Sequence, residues 1–240
     1  MAFKLRVFKD RSTAGVTLAR RLKKQSIQPP LLVLGLPRGG VPVAYEVARV
    51  LDAPLDVMLV RKIGMPRQPE LAIGAVASGN ITVHSPQIGP EGSEMSQLFE
   101  RLAQNQRREI ERRELVYRSG LPPLDLHGRS VILVDDGIAT GSTMLAAIRA
   151  TRKAGALAII VAAPVASPEA EEVVRSEADD AVILQTPPTL LSIGEWYQDF
   201  NQIEDSEVCR LLELSRQASA DASRISSTTA QTHPRVHENR

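Results

Sequence analysis

The 240-residue sequence contains one cysteine, Cys209, which excludes an internal disulfide and any cysteine-based zinc cluster. It also lacks an excess of charge of either sign. Lys and Arg number 29 against 28 Asp and Glu, so no global field draws the chain onto nucleic acid or an anionic bilayer. Any polyanion site must therefore be local. Long apolar runs are missing as well: the longest, Ala154 to Ala166, is interrupted by Gly155 and Pro164 and is too short to span a bilayer. Met1 to Asp10 carries Lys4, Arg6 and Lys9 but no apolar run of signal-peptide length. These absences make a cytoplasmic protein without membrane contact the expectation. Aromatic residues are scarce at 3%, which makes the cluster Trp196, Tyr197 and Phe200 conspicuous. No internal repeat is present.

What the chain does have is enough apolar residue, 43%, to bury a full core, and a length that suits one α/β domain with additions. Asp10 can cap a helix to about Lys24 in which Ala14, Leu18 and Leu22 recur every four residues. Apolar segments follow at Leu31 to Leu34, Leu55 to Val60, Val131 to Val134 and Ala158 to Ala163, with a fifth at Ala181 to Leu184. Helical stretches at Pro42 to Leu51, Thr143 to Ala154 and Pro168 to Glu177 lie between them. This alternation predicts a doubly wound parallel α/β sheet of about five strands, with ligands at the strands' carboxyl ends.

Residues 62–130 interrupt the rhythm and read as an insertion. It has strand-like pieces at Ala72 to Val76 and Ile81 to Val83, then a polar helix from about Glu94 to Arg118. The i,i+4 pairs Glu109 with Arg113 and Glu114 with Arg118 make this helix's arginines read as a solvated face. The folded domain is expected over residues 1–214, with residues 186–214 as a small C-terminal hood and helix. Residues 215–240 are rich in Ser, Ala, Thr and Gln, lack large apolar side chains, and are expected to be disordered.

The chemistry concentrates in one segment. Val131 to Val134 reads as a strand buried on both faces, and Asp135 and Asp136 follow at its carboxyl end. Gly137, Ile138, Ala139, Thr140, Gly141, Ser142 and Thr143 then open a helix, bringing backbone N–H groups, a helix dipole and three hydroxyls to one point. Carboxylates beside a phosphate nest suit a ligand with sugar hydroxyls and a phosphate, such as a ribose 5-phosphate. The loop is not of the Walker A type, since no Lys follows its glycines. VILVDDGIATGST resembles the signature with which type I phosphoribosyltransferases bind 5-phosphoribosyl-1-pyrophosphate (PRPP). The resemblance implies that Asp135 and Asp136 bind the ribose 2′ and 3′ hydroxyls, that Ala139 to Thr143 bind the 5′-phosphate, and that Mg2+ accompanies PRPP.

Three further segments extend the resemblance. Leu31 to Leu34 leads into Gly35, Leu36, Pro37, Arg38, Gly39 and Gly40, where glycines permit close backbone approach and Arg38 supplies charge. It resembles the family's pyrophosphate loop, which implies a cis peptide bond at Pro37 or Arg38; a plain Gly-rich turn is the alternative. Val60 to Pro66 resembles the stretch that in adenine phosphoribosyltransferases opens a mobile lid, with Ile63 and Met65 departing from that pattern. This implies that Arg61 and Lys62 lie near the pyrophosphate and that Pro66, Pro69 and Glu70 to Ala77 form the lid. Gly194 to Phe200, GEWYQDF, resembles the hood of oxopurine phosphoribosyltransferases, with Trp196 against the base and Asp199 holding a second Mg2+ through water. A small hydrophobic plug is the other reading of these aromatics. His84 and His127 have no partner spacing for a metal or a triad.

Ala139 stands where oxopurine enzymes carry an acid. LPRGGVPVA, RKIG, PELAIGAVA and WYQDF together resemble a bacterial group of phosphoribosyltransferases of unassigned acceptor, over about Phe8 to Leu214. The expected function is transfer of phosphoribosyl from Mg-PRPP to a nitrogen nucleophile, a nucleobase other than an oxopurine, with pyrophosphate leaving. The partners are then small molecules, without nucleic acid, and a homodimer is compatible with this reading. The alternative is a PRPP-sensing regulator of the same fold that binds RNA or a protein, signalled by a basic face of Arg107, Arg108, Arg112, Arg113 and Arg118.

Overall fold

The computed structural model describes residues 7–66, 68–85 and 92–230. In chain order the elements are α1 (Arg11–Leu22), β1 (Leu31–Gly35), α2 (Gly40–Leu51), β2 (Leu55–Val57), β3 (Val60–Met65), β4 (Gln68–Ala77) and β5 (Ile81–His84). They continue with α3 (Ser93–Tyr117), β6 (Ser130–Val134), α4 (Ser142–Lys153), β7 (Ala158–Val165), α5 (Pro168–Glu177), β8 (Asp180–Gln185), a 3-10 turn at Gly194–Trp196 and α6 (Asp205–Ala230). Local chemistry sets several boundaries. Asp10 caps α1 by accepting from the Thr13 N–H at 2.7 Å, and Ser167 caps α5 by accepting from Ala170 at 3.0 Å, with Pro168 in the first turn where its missing N–H costs nothing.

Five strands pair in parallel in the order β2-β1-β6-β7-β8, as the alternation of apolar and helical segments predicts. The strand period of two sorts their side chains between two cores. Val33, Ile132 and Ile160 face α1, α2 and α6 beside Leu18, Val47 and Val208, while Leu34, Leu133 and Val161 face α4 and α5 beside Ile148 and Val174. β6 is buried along its whole length, which is why its sequence is an unbroken apolar run.

The insertion departs from expectation in three ways. First, Leu55 to Val60 is not one strand. The parallel strand stops at Val57, and Val60 starts an antiparallel sheet of β3, β4 and β5 in which it pairs with Ala77. Met58 and Leu59 between them stay buried, so the change of sheet leaves no mark on hydropathy; buried Ser78 fixes it by accepting from the Leu59 N–H and donating its own N–H to the Leu59 carbonyl. Second, Glu70 to Ala77, implied by the resemblance as part of a lid, lies in β4 and pairs with β3 as a hairpin whose Ile63, Ile73 and Val76 join the core with Phe99 of α3.

Third, α3 is not a wholly solvated helix. Phe99, Ala103, Ile110 and Tyr117 form a buried stripe along it. The Glu109–Arg113 pair is present at 3.0 Å, and Glu109 also pairs with Arg112; hydrogen bonds from these two guanidiniums hold its carboxyl down at about 2. Arg118 does not pair with Glu114. Its side chain, 8% exposed, turns to Asp56 at 2.9 Å, and Arg107 reaches Thr82 at 2.8 Å. Of the five arginines of a hypothetical RNA-binding face, Arg112 and Arg113 share Glu109, Arg118 is turned to Asp56, Arg107 bonds Thr82 and Glu100, and Arg108 is exposed.

Residues 215–230, expected without structure, continue α6 as helix; residues 231–240 lie outside the described ones. Extending an existing helix costs at most a few tenths of a kcal/mol per residue even where Ser and Thr alternate with Ala, whereas starting one is costly. The burial argument still holds, because Glu213 to Ala220 bury no large side chain. Deleting residues 215–240 should therefore remove helical circular-dichroism signal while leaving the melting temperature almost unchanged. A drop of several degrees would show that this end of α6 stabilises the domain. Among the described residues no helix is long and apolar enough to cross a membrane.

Candidate active site at the carboxyl edge of the sheet

In this strand order the chain runs from β1 outward to β2 and then returns to β6 on the other side, so the topological switch point lies between β1 and β6. Both strands end in register, Gly35 beside Val134, and each runs directly into one of the two loops singled out by their chemistry. The Leu36 N–H donates to the Val134 carbonyl at 2.9 Å, tying the loops together at their base. A Cβ on Gly39 would lie 2.1 Å from Asp136 Oδ2, and one on Gly40 would lie 2.6 Å from the Val134 carbonyl oxygen. Only glycine permits that approach. Arg38, Gly39 and the Asp pair therefore border one crevice, as two loops following adjacent parallel strands should.

The Asp pair is only partly accessible, and its electrostatics follow from that. Asp135 Oδ1 accepts from the Asp136 N–H at 2.9 Å. Burial first, and then the neighbouring Asp136 charge, push the Asp135 carboxyl well above its ordinary value of 3.8. Burial also raises Asp136, while Arg11 holds it back. Arg11 Nε donates to Asp136 Oδ2 at 2.7 Å, its Nη1 donates to the Asn201 carbonyl at 2.9 Å, and its guanidinium carbon lies 3.8 Å from the centroid of the Phe200 ring. The Tyr197 hydroxyl donates to the Asp136 carbonyl at 2.6 Å. Sequence reading missed Arg11, although a signal existed: the stripe Ala14, Leu18, Leu22 extended back one turn falls on residue 11, and that face of α1 is buried.

In the second loop Gly141 takes φ 73° and α4 begins at Ser142, so the chain turns sharply into the helix N-terminus. The N–H groups of Ala139, Thr140 and Gly141 find no acceptor among the described residues, and Thr140 and Thr143 are exposed. Thr140 Oγ1 lies 3.1 Å from Ser142 Oγ. Ile138 departs from its expected role. Its side chain is buried, its N–H donates to the Val165 carbonyl and its carbonyl accepts from the Ser167 N–H, so it anchors the loop to the end of β7 and has no group left for a ligand's phosphate. Ser167, which sequence reading passed over, also donates its hydroxyl to the Ala139 carbonyl at 2.8 Å. Gly137 packs against Ile193, ahead of the C-terminal segment.

In the first loop the Pro37–Arg38 peptide bond is cis, as the resemblance implies. Gly40 and Val41 donate back to the Leu36 and Arg38 carbonyls, which leaves the Arg38 and Gly39 N–H groups without an acceptor among the described residues. Leu36 departs from its expected role: it is buried, and its N–H and carbonyl are taken by Val134 and Gly40, so it anchors the loop and has no polar group left for a ligand. Arg38 Nη1 stands 3.8 Å from both Glu204 and Asp205 at the start of α6, too far for a hydrogen bond and close enough for a loose ion pair. Tyr117, from α3, donates to Asp205 at 2.5 Å.

Arg61 and Lys62 do not act together. Successive side chains of β3 point to opposite faces, so Arg61 lines a narrow cleft with Leu36, Pro37 and Thr143, while Lys62 lines a separate cavity of about 230 Å³ with Thr140, Ser142 and Arg149. Arg61 alone sits beside the first loop. In the C-terminal segment, Tyr197 and Phe200 stack with ring centroids 5.1 Å apart, and Phe8 packs against Tyr197. Phe8 donates its N–H to the Trp196 carbonyl and accepts from Gln198, so the segment is a plug that backs Asp136, with Trp196 half-buried at its edge. Asp199 is exposed and accepts from the Asn201 side-chain amide at 2.6 Å. Among the described residues no three His, Cys, Asp or Glu side chains gather to hold a metal.

Comparison with known proteins agrees with this geometry. The family model described as the phosphoribosyl transferase domain matches residues 11–189. A Mycobacterium tuberculosis protein carrying the provisional name of a phosphoribosyl transferase is 39% identical over 221 residues, 92% of this chain and 50% of that one. The chain thus spans about half the length of the curated relatives it matches. The crystal structure of TT1426 from Thermus thermophilus superposes with a TM-score of 0.78 at 42% identity, covering 86% of this chain and 97% of that one. By the family match and by these identities, the chain belongs to the phosphoribosyl transferase domain family.

Proposed function

We propose that this domain binds Mg-PRPP across the crevice and transfers its phosphoribosyl group to a nitrogen nucleophile, releasing pyrophosphate. The observation that carries the reading is the contact of Gly39 with Asp136, which joins a loop suited to polyphosphate to one suited to a ribose phosphate. Ala139, Thr140, Gly141 and Thr143 hold the 5′-phosphate through N–H groups, hydroxyls and the α4 dipole. Asp135 and Asp136 accept the ribose hydroxyls and, as the C1–oxygen bond lengthens, offset the positive charge growing on the ring. Arg38, Arg61 and the free N–H groups of Arg38 and Gly39 receive the electron pair's charge on the departing pyrophosphate.

The Asp pair supplies hard oxygens but too few to cage Mg2+ alone, which suits a cation that takes its other oxygens from the ligand and lends charge at the leaving group. Asp199 is separate from this role in our reading. The acceptor's nitrogen forms the new bond to C1 and must shed or already lack a proton. Ala139 carries no group to take it, and its carbonyl is occupied by Ser167. A positioned acid or base contributes about a hundredfold to ten-thousandfold, so hypoxanthine, guanine and xanthine are expected to be poor acceptors. An anionic or adenine-like base should be better.

The test is pyrophosphate release from PRPP with Mg2+ across a panel of nucleobases and amines. Efficient use of guanine or hypoxanthine would overturn the role given to Ala139. Absence of PRPP binding by calorimetry would overturn the proposal as a whole.

A further inference from the structure

The helix that interrupts the sheet rhythm does more than cover the core. Gln106, Ile110, Arg113 and Tyr117 recur on one face of α3, and the burial of Ile110 and Tyr117 fixes which way that face points. Gln106 accepts from Arg61 Nε at 3.1 Å, so the helix holds in place one of the cations beside the first loop. Arg113 lines the same narrow cleft as Pro37, Arg61 and Thr143, and Arg113 and Arg38 both lie close enough to the Tyr117 hydroxyl to oppose the rise that burial gives its pKa. Glu109 takes only its Nε, at 3.0 Å, leaving the two terminal nitrogens of the guanidinium without a partner among the described residues. A planar fork of two donors facing a cleft between a cis-peptide loop and the α4 N-terminus matches a phosphate group.

We infer that Arg113 is a pyrophosphate-binding residue, supplied by the inserted helix, which reaches the leaving group from beside Arg61 and Pro37. This rests on the Mg-PRPP reading above and adds a residue to it. The charges around Arg113 are Glu109 and Arg112 on its own helix, Arg61 on β3, Arg38 on the first loop and Asp205 on α6; of the cations, Arg61 shares the cleft with Arg113, Arg112 is turned to Glu109, and Arg38 stands beside Glu204 and Asp205. Because α3 is anchored in the core by Phe99 and Ile110, the arginine arrives on a rigid element and needs little ordering on binding.

Calorimetry on the full chain with Mg2+ and three probes, PRPP, inorganic pyrophosphate and ribose 5-phosphate, tests this. Arg113→Gln should weaken pyrophosphate and PRPP by about tenfold or more, the scale of a lost charge-assisted hydrogen bond, and leave ribose 5-phosphate unchanged. Arg113→Lys, which keeps the charge and loses the fork, should fall between Gln and the unmodified protein. Pyrophosphate affinity unchanged in Arg113→Gln, or an equal loss for ribose 5-phosphate, would overturn the assignment while leaving PRPP binding by the unmodified protein to support the underlying reading. Failure of the unmodified protein to bind any of the three would overturn both.

Discussion

Arg11→Met should destabilise the domain by about 3 kcal/mol, the scale for removing one member of a buried ion pair. The methionine restores most of the volume, so the loss is electrostatic: Asp136 keeps its place under Tyr197 and loses the one cation paired with it among the described residues. Its carboxyl, already raised by burial, must then rise further, because Arg11 is what holds it down. A carboxyl raised in the folded state binds more protons there than in the unfolded chain at any pH between the two values. Stability is then lost as pH rises above the ordinary 3.8. The deficit of the variant should accordingly be small in acid and grow toward neutrality, read from urea midpoints at about pH 5 and about pH 8. Arg11→Lys should recover only part of it, since an ammonium cannot bond Asp136 and Asn201 while lying flat on Phe200. An unchanged midpoint in Arg11→Met at neutral pH would refute the role given to this pair.

The two aspartates should separate in stability while agreeing in binding. Asp135→Asn removes a carboxylate that burial and its neighbour both disfavour, and an amide oxygen can still accept from the Asp136 N–H. The folded protein should be at least as stable near neutrality, and should lose the decline with rising pH that a raised carboxyl imposes above 3.8. Asp136→Asn strands the Arg11 guanidinium and should be destabilising. On the proposed function, each substitution replaces a charge-assisted bond to a ribose hydroxyl by a weaker one. If each costs about 1.5 kcal/mol, the double variant binds Mg-PRPP roughly a hundredfold more weakly. Calorimetry with PRPP at equal folded fraction checks this, and an unchanged affinity would remove the Asp pair from the site.

These expectations draw on unequal sources. The strand before Asp135, the phosphate loop after it and the Leu36 to Gly40 loop were legible in sequence because each is a contiguous run whose chemistry is local. An apolar strand buried on both faces, paired acids at its end and glycines opening a helix need no knowledge of distant residues. That the strands form a parallel sheet with ligands at their carboxyl ends also follows from such runs, whereas their order, and with it the crevice between β1 and β6, comes from the tertiary structure. Arg11, Tyr197 and Arg113 could not be assigned this way. Arg11 meets Asp136 across 125 residues and Tyr197 meets it across 61, and what decides their roles is the docking of α1 and the C-terminal plug against the end of β6. The same holds for the break after Val57, where burial continues while the hydrogen-bonding partner changes from β1 to β4. Hydropathy records whether a side chain leaves water and how often along the chain. Which element it then meets, and which charge it must neutralise there, is set by the packing of helices and sheets that converge from separate parts of the sequence.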